Sequence, residues 1–200
     1  QSGRRNVTRH ANIFAVLFGY ADEAETQSIL HKVLLNEEVA AITTPYFKFY
    51  ELEALAKLGR FEVVMDTLKS YWGGMLERGA DTFWEEYKPE QPEEEQYGMY
   101  GVKYSKSLCH AWGASPIYLL GRYCMGVRPT GTAYETFAVE PQLELFDSFS
   151  CSFPVNEGTV WMDWKDGVLD VYTDKDGGVL KAAGKEYTLE RGKHVVVKGR

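Results

Sequence analysis

Near residues 125 to 132 the apolar residues change their spacing from threes and fours to twos, and this change constrains the fold more than any other feature. A helix gathers positions i, i+3 and i+4 on one face, whereas a strand gathers i and i+2. One chain therefore carries two kinds of layer. The expected fold class is α plus β in two parts, with helices over residues 1–125 and an antiparallel β-sandwich over 126–200.

Ala11, Phe14, Ala15 and Phe18 predict a first helix, and Ile29, Val33 and Leu34 a second, begun by the acidic pair Asp22 and Glu23. Thr44-Pro45 opens a third, with Phe47, Tyr50, Leu52, Leu55 and Leu58 along one stripe and a left-handed cap expected at Gly59. Phe61, Val64, Leu68 and Tyr71 mark a fourth helix from Arg60 to about Tyr71. Ser105 to Tyr123 predicts a fifth, turning Leu108, Trp112, Ile117 and Leu120 toward a core, with His110 in its middle. Beyond Gly131, Thr136–Glu140 and Thr159–Trp164 alternate as strands, and Lys165-Asp166-Gly167 is a strong hairpin signal before Val168–Tyr172. Turns at Asp176-Gly177-Gly178, Ala183-Gly184 and Arg191-Gly192 then separate further strands, making six or seven in all.

Composition places the chain among ordinary globular proteins, at 44% hydrophobic and 26% charged. A compact chain of this length buries roughly 70% of its unfolded surface. The net charge of −7 is spread along the sequence, with 13 basic and 17 acidic residues before position 126 and 9 and 12 after it. No basic face emerges, so nucleic acid is not an expected partner. No apolar run approaches the roughly 20 residues that span a bilayer, and no membrane partner is expected. Cys109, Cys124 and Cys151 lack paired metal or redox spacing and are expected to be buried thiols. His31 and His194 have no partner at metal-ligand spacing, and the acidic, proline-interrupted segment Lys88–Glu95 contains no Asp-x-Asp-x-Asp-Gly loop, so no metal and no cofactor are assigned. The opening Gln1–Arg5 is expected to be a cut inside a longer protein, and Asn6-Val7-Thr8 matches a glycosylation acceptor of little weight.

Chemistry concentrates in Glu77–Tyr87, where Glu85 follows Trp84 directly at what reads as the mouth of a helix. An indole offers an apolar face to the C–H side of a pyranose, and an adjoining carboxylate can activate water or accept hydroxyl hydrogen bonds. The competing reading is a buried aromatic beside solvated acids, and Glu86 competes with Glu85 for any role. His110 has the same ambiguity, since a lone helical histidine is usually a satisfied core residue.

Three motifs occur in order: Gly79-Ala80-Asp81-Thr82-Phe83-Trp84-Glu85, then Ser107-Leu108-Cys109-His110-Ala111-Trp112-Gly113-Ala114, then Gly126-Val127-Arg128-Pro129 followed by strands. Together they resemble the C-terminal part of bacterial α-L-rhamnosidases of glycoside hydrolase family 78. The resemblance implies helices of an (α/α)6 six-hairpin toroid, of which five of twelve are present, followed by a β-sandwich. It implies an inverting hydrolase of terminal α-L-rhamnose, with Glu85 as general base and Trp84, His110, Trp72, Tyr46 and Trp112 binding the sugar. Cys109 departs from the polar residue other members often carry there. Inversion needs a general acid as well, and residues 1–76 contain no counterpart of the family's acidic motif, so the chain alone is expected to be inactive. Its implied partners are a carbohydrate substrate and the missing barrel helices, from the same polypeptide or by self-association. A noncatalytic carbohydrate-binding or scaffold domain is the alternative, and localisation stays open between cytoplasm, periplasm and secretion in a bacterium.

Overall fold

Helices form where an apolar stripe is backed by a start signal. The computed structural model describes residues 7–199, so Asn6 and Gln1–Arg5 lie outside the described residues. The chain divides into two compact units, residues 1–117 and 118–200. In the first, α1 (Arg9–Leu17), α2 (Glu23–Ile29) and α3 (Pro45–Lys57) are followed by a continuous rod of α4 (Phe61–Thr67) and α5 (Gly73–Glu77). Asp22 caps α2 through a capping box, accepting from Glu25 N at 2.8 Å while Glu25 Oε2 accepts from Asp22 N at 3.1 Å. Pro45 occupies the first turn of α3, where its missing N–H is not needed, and Gly59 adopts the expected left-handed conformation (φ +71°).

Two of these helices widen into a π-type turn, at Leu30–Leu34 after α2 and Leu68–Trp72 after α4. The second carries Tyr71-Trp72-Gly73-Gly74 on as helix, past the end near Tyr71 that the apolar stripe predicts. Ile13, Leu52, Leu55, Val64 and Met75 form the apolar interior, together with Tyr71, Trp72 and Trp84. Across it runs a buried ionic knot. Arg9 donates to Glu51 Oε1 at 2.7 Å and to the carbonyls of Leu34, Asn36 and Val39, and Lys48 reaches Glu51 Oε2 at 2.8 Å.

The predicted fifth helix does not form as one element. Residues 105–110 are extended or bent, Ala111–Gly113 is a single 3-10 turn, and α6 (Ser115–Leu119) begins only there, running into a π-type turn at Leu120–Cys124. Pro116 explains the break, since a helix running through it would lose an amide donor and clash one turn back. Consequently Leu108, Trp112 and Ile117 are exposed, contrary to the core positions their spacing predicts. Among the described residues the first unit shows no closed ring of helices.

Among the described residues the second unit holds eight strands in two four-stranded sheets. One sheet runs β1 (Arg128–Pro129), β2 (Phe137–Val139), β6 (Gly178–Ala182), β7 (Lys185–Leu189). The other runs β3 (Phe149–Val155), β4 (Gly158–Lys165), β5 (Val168–Thr173), β8 (His194–Lys198). Phe137, Val139, Leu180 and Leu189 from the first share one core with Val160, Met162, Leu169, Val171 and Val197 from the second. The β4–β5 turn has positive φ at both Asp166 and Gly167, and the β6–β7 turn at both Ala183 and Gly184, as tight hairpins require. The sheets are not wholly antiparallel. β2 pairs with β6 in parallel, because three strands of the other sheet intervene and supply the long crossover a parallel pair needs.

Gly126 is the position in this unit least able to change. Its φ is +67°, and a Cβ there would stand 2.0 Å from the carbonyl oxygen of Glu140, whose own amide donates back to Gly126 O. Gly126→Ala is expected to destabilise the unit by about 2–3 kcal/mol, combining left-handed strain with backbone displacement. Thermal unfolding measures it, and a change under ~0.5 kcal/mol would contradict this packing.

Candidate functional site

Residues 82–87 form an irregular strip that bends at Glu85, not a helix mouth, and it is held between two neighbours. Glu85 N donates to Ser107 O at 2.9 Å, His110 N donates to Phe83 O at 2.7 Å, and Tyr87 N donates to Thr43 O at 3.0 Å. Thr82 Oγ1 adds a short bond to Leu108 O. Trp84, Glu86 and Tyr87 are buried, whereas Glu85 between them is half-buried. Trp84 is 3% exposed and packs edge-on against Tyr87 and Tyr97.

The two carboxylates differ in how they are held. Glu86 Oε1 accepts from Thr43 Oγ1 at 2.8 Å and from Lys88 Nζ at 3.0 Å, and the residue is buried. Glu85 Oε2 accepts the amide of Ser107 at 3.2 Å, while among the described residues its Oε1 has no hydrogen-bond donor. Each carboxylate thus has one bonded oxygen, and what separates them is their surroundings: Glu86 is buried against Thr43 and Lys88, whereas Glu85 lies beside the His110 ring.

Beside Glu85 a row of rings begins. His110 Nδ1 lies 4.0 Å from Glu85 Oε2, the His110 ring sits 4.0 Å from that of Trp112 at 37°, and Trp112 lies 5.3 Å from Tyr46 at 40°. Trp112 and Tyr46 remain 44% and 41% exposed, enough to present a ring face. His110 has an extended backbone just before the 3-10 turn, which aims its ring at Glu85 in place of the mid-helix setting expected for it.

Of the six residues singled out in the sequence, Glu85, His110, Trp112 and Tyr46 come together in one open patch. Trp84 and Trp72 do not reach it. Trp72 is buried and donates its indole N–H to Gly113 O at 2.8 Å, so both indoles support the patch from within and offer no face to a sugar. The small residue at Gly113 is required there, since a Cβ would stand 2.7 Å from Phe83 Cβ. Sequence reasoning missed Tyr71, whose hydroxyl donates to Thr43 O at 2.6 Å beneath Glu86 and whose ionisation burial pushes far upward, and it missed Lys106.

The thiols also separate. Cys109 is exposed next to His110, contrary to expectation, because its segment lies on the surface strip and not in a helix. Burial pushes the Cys124 thiol up to about 11, and burial with a smaller contribution from Asp163 does the same to Cys151. Among the described residues no three His, Cys, Asp or Glu side chains gather as a metal site, and no helix is long and apolar enough to cross a membrane. A separate cavity of about 510 Å³ is lined by Glu86, Lys88, Glu94, Glu95, Tyr100 and Lys103 among others, so the Lys88–Glu95 segment lines a hollow where only a solvated loop was expected.

No protein-family model and no curated protein matches the sequence. Solved structures do match. A GH78 family rhamnosidase of Bacillus sp. GL1 superposes with a TM-score of 0.71 and 24% identity over 88% of this chain and 19% of its own. An α-L-rhamnosidase of Streptomyces avermitilis, solved with L-rhamnose, gives 0.63 and 15% over 86% and 18%. An α-L-rhamnosidase of Dictyoglumus thermophilum gives 0.66 and 16% over 96% and 24%. The likeness establishes a shared fold, and the chain spans about a fifth of the length of these neighbours.

Proposed function

We propose that this chain is the C-terminal part of an inverting α-L-rhamnosidase of glycoside hydrolase family 78, with residues 1–125 contributing helices to an (α/α)6 barrel and 126–200 a β-sandwich. The observation that carries the reading is the half-anchored carboxylate of Glu85 at the end of the His110–Trp112–Tyr46 row, in a fold shared with rhamnosidases. In this reading the free oxygen of Glu85 takes a proton from water as that water attacks the anomeric carbon. His110 donates to or accepts from a sugar hydroxyl, and Trp112 and Tyr46 cover the apolar side of the ring. The general acid that protonates the leaving oxygen stands roughly 6.5 to 9.5 Å from the base in an inverting enzyme, and it comes from the remainder of the polypeptide. Phe18 and Tyr20, 65% and 82% exposed, support such missing helices, because large rings this open usually have a partner.

The test is turnover of nitrophenyl α-L-rhamnoside by this chain and by the longest natural chain containing it, with methyl α-L-rhamnoside binding followed by tryptophan fluorescence. Expected are turnover by the long chain only, and weak binding by the short one that Trp112→Ala removes. Hydrolysis by the 200-residue chain that Glu85→Gln abolishes would sink the divided-site reading. Binding without turnover in either chain would replace it with a noncatalytic sugar-binding module.

A further inference from the structure

Glu85 and Glu86 are adjacent in sequence and both largely withdrawn from water, with side chains 15% and 10% exposed. Two carboxylates in such a setting stay ionised only if positive charge is near. Lys88 contacts Glu86 but is 43% exposed on its outer side, where solvent screens it. His110 lies near Glu85, 4.0 Å from its Oε2, and is charged only when protonated. Tyr71, facing Glu86, has its ionisation pushed upward by burial and adds no charge.

A more deeply withdrawn cation is Lys106. It is 6% exposed, and among the described residues its Nζ has no hydrogen-bond partner. Its place is set by the backbone: Lys106 N donates to Tyr97 O at 3.1 Å, and the next residue, Ser107, exchanges both of its backbone bonds with Glu85. A structural lysine would be expected to pair directly, since a buried ammonium without a bond is otherwise worse than an apolar side chain of the same size. Lys88 and Lys106 match the two negative charges of Glu85 and Glu86 in number.

We propose that Lys106 is a positioning residue for Glu85, its buried ammonium supplying the counter-charge that the Glu85–Glu86 pair requires. This rests on the reading of Glu85 as general base. The field acts through space, beyond ion-pair contact. Burial pushes the Lys106 ammonium downward and Lys88 adds to this, while Glu86 and Glu85 oppose it. The coupling is reciprocal, so each group reports on the other.

The experiment is a carbon-13 NMR titration of the side chains in the 200-residue protein. Lys106→Met is expected to raise the Glu85 carboxyl midpoint by about one pH unit, and Lys106→Arg to leave it within about 0.3. Should Lys106→Met unfold the protein, Glu85→Gln decides alone, because losing that carboxylate must lower the Lys106 Cε midpoint. In the long chain, Lys106→Met should move the acid limb of the kcat/KM profile upward by the same interval, since a base that holds its proton to higher pH starts working later. Midpoints that do not move in either direction overturn the proposal. Uncoupled midpoints in an enzyme that needs Glu85 remove Lys106 alone, whereas coupled midpoints in an enzyme whose turnover survives Glu85→Gln remove the positioning role with the base.

Discussion

Glu85→Gln in the longest natural chain carrying this sequence is expected, on the proposed reading of Glu85 as general base, to lower kcat for rhamnoside hydrolysis by roughly 10²- to 10⁴-fold, the contribution of a positioned general base. The substitution is close to isosteric. A glutamine carbonyl can still accept the Ser107 amide that Glu85 Oε2 accepts at 3.2 Å, and the backbone bond from residue 85 to Ser107 O does not involve the side chain. The strip should therefore keep its place between Thr43 and Ser107, and KM should change little. What is lost is the capacity to take a proton from water. An unchanged thermal melt beside the lost rate would locate the effect in chemistry. Turnover within a factor of ten of the unaltered enzyme would remove Glu85 from this role. Glu86→Gln offers a contrast, because its Oε1 is engaged by Thr43 and Lys88 and its loss should appear chiefly in stability.

Glu51→Ala is expected to lower the stability of the first unit by about 3–5 kcal/mol, as does breaking a buried ion pair from one side. Glu51 is 3% exposed and, among the described residues, is the only carboxylate bonded to Arg9, whose side chain is 11% exposed. Removing it takes the counter-charge from the guanidinium and the i,i+3 partner from Lys48 within α3. The consequence should spread, since Arg9 also ties the carbonyls of Leu34, Asn36 and Val39 and so secures the segment leading toward Thr43, which braces the strip carrying Glu85. Urea unfolding of the 200-residue protein measures the loss. Glu51→Gln, which retains an acceptor, should lose less, and an Ala variant within ~1 kcal/mol of the original would show that the knot contributes little to folding.

Much of the fold was legible because its signals are local. The capping box at Asp22 and Glu25, Pro45 at a helix start, Gly59 at its end and Asp166-Gly167 in a hairpin each depend on a few neighbouring residues. Signals that depend on distant partners were not legible. π-type turns add a residue to a turn without disturbing a coarse apolar stripe, so the widening at Leu30–Leu34 and Leu68–Trp72 left no mark. β3 escaped notice although Phe149, Cys151, Phe153 and Val155 alternate, because Pro154 argues against a strand. It is tolerated at an edge, where β3 lies. The helix expected over Ser105–Tyr123 failed on Pro116, a local signal outweighed by the apolar spacing around it.

The sequence by itself indicated that helices give way to strands, which residue types could meet a sugar, and, through the resemblance carried by three ordered motifs, Glu85 and His110 as candidates. Tertiary structure decided which of those residues face outward. Which of two neighbours such as Trp84 and Glu85 is buried depends on what packs against them. Tyr97 packs on Trp84, while Thr43 and Ser107, distant in sequence, hold the strip by backbone bonds and leave one oxygen of Glu85 open. The same closure buries Lys106 between two serines that read as surface, since burial is a property of the surrounding elements and not of the residue.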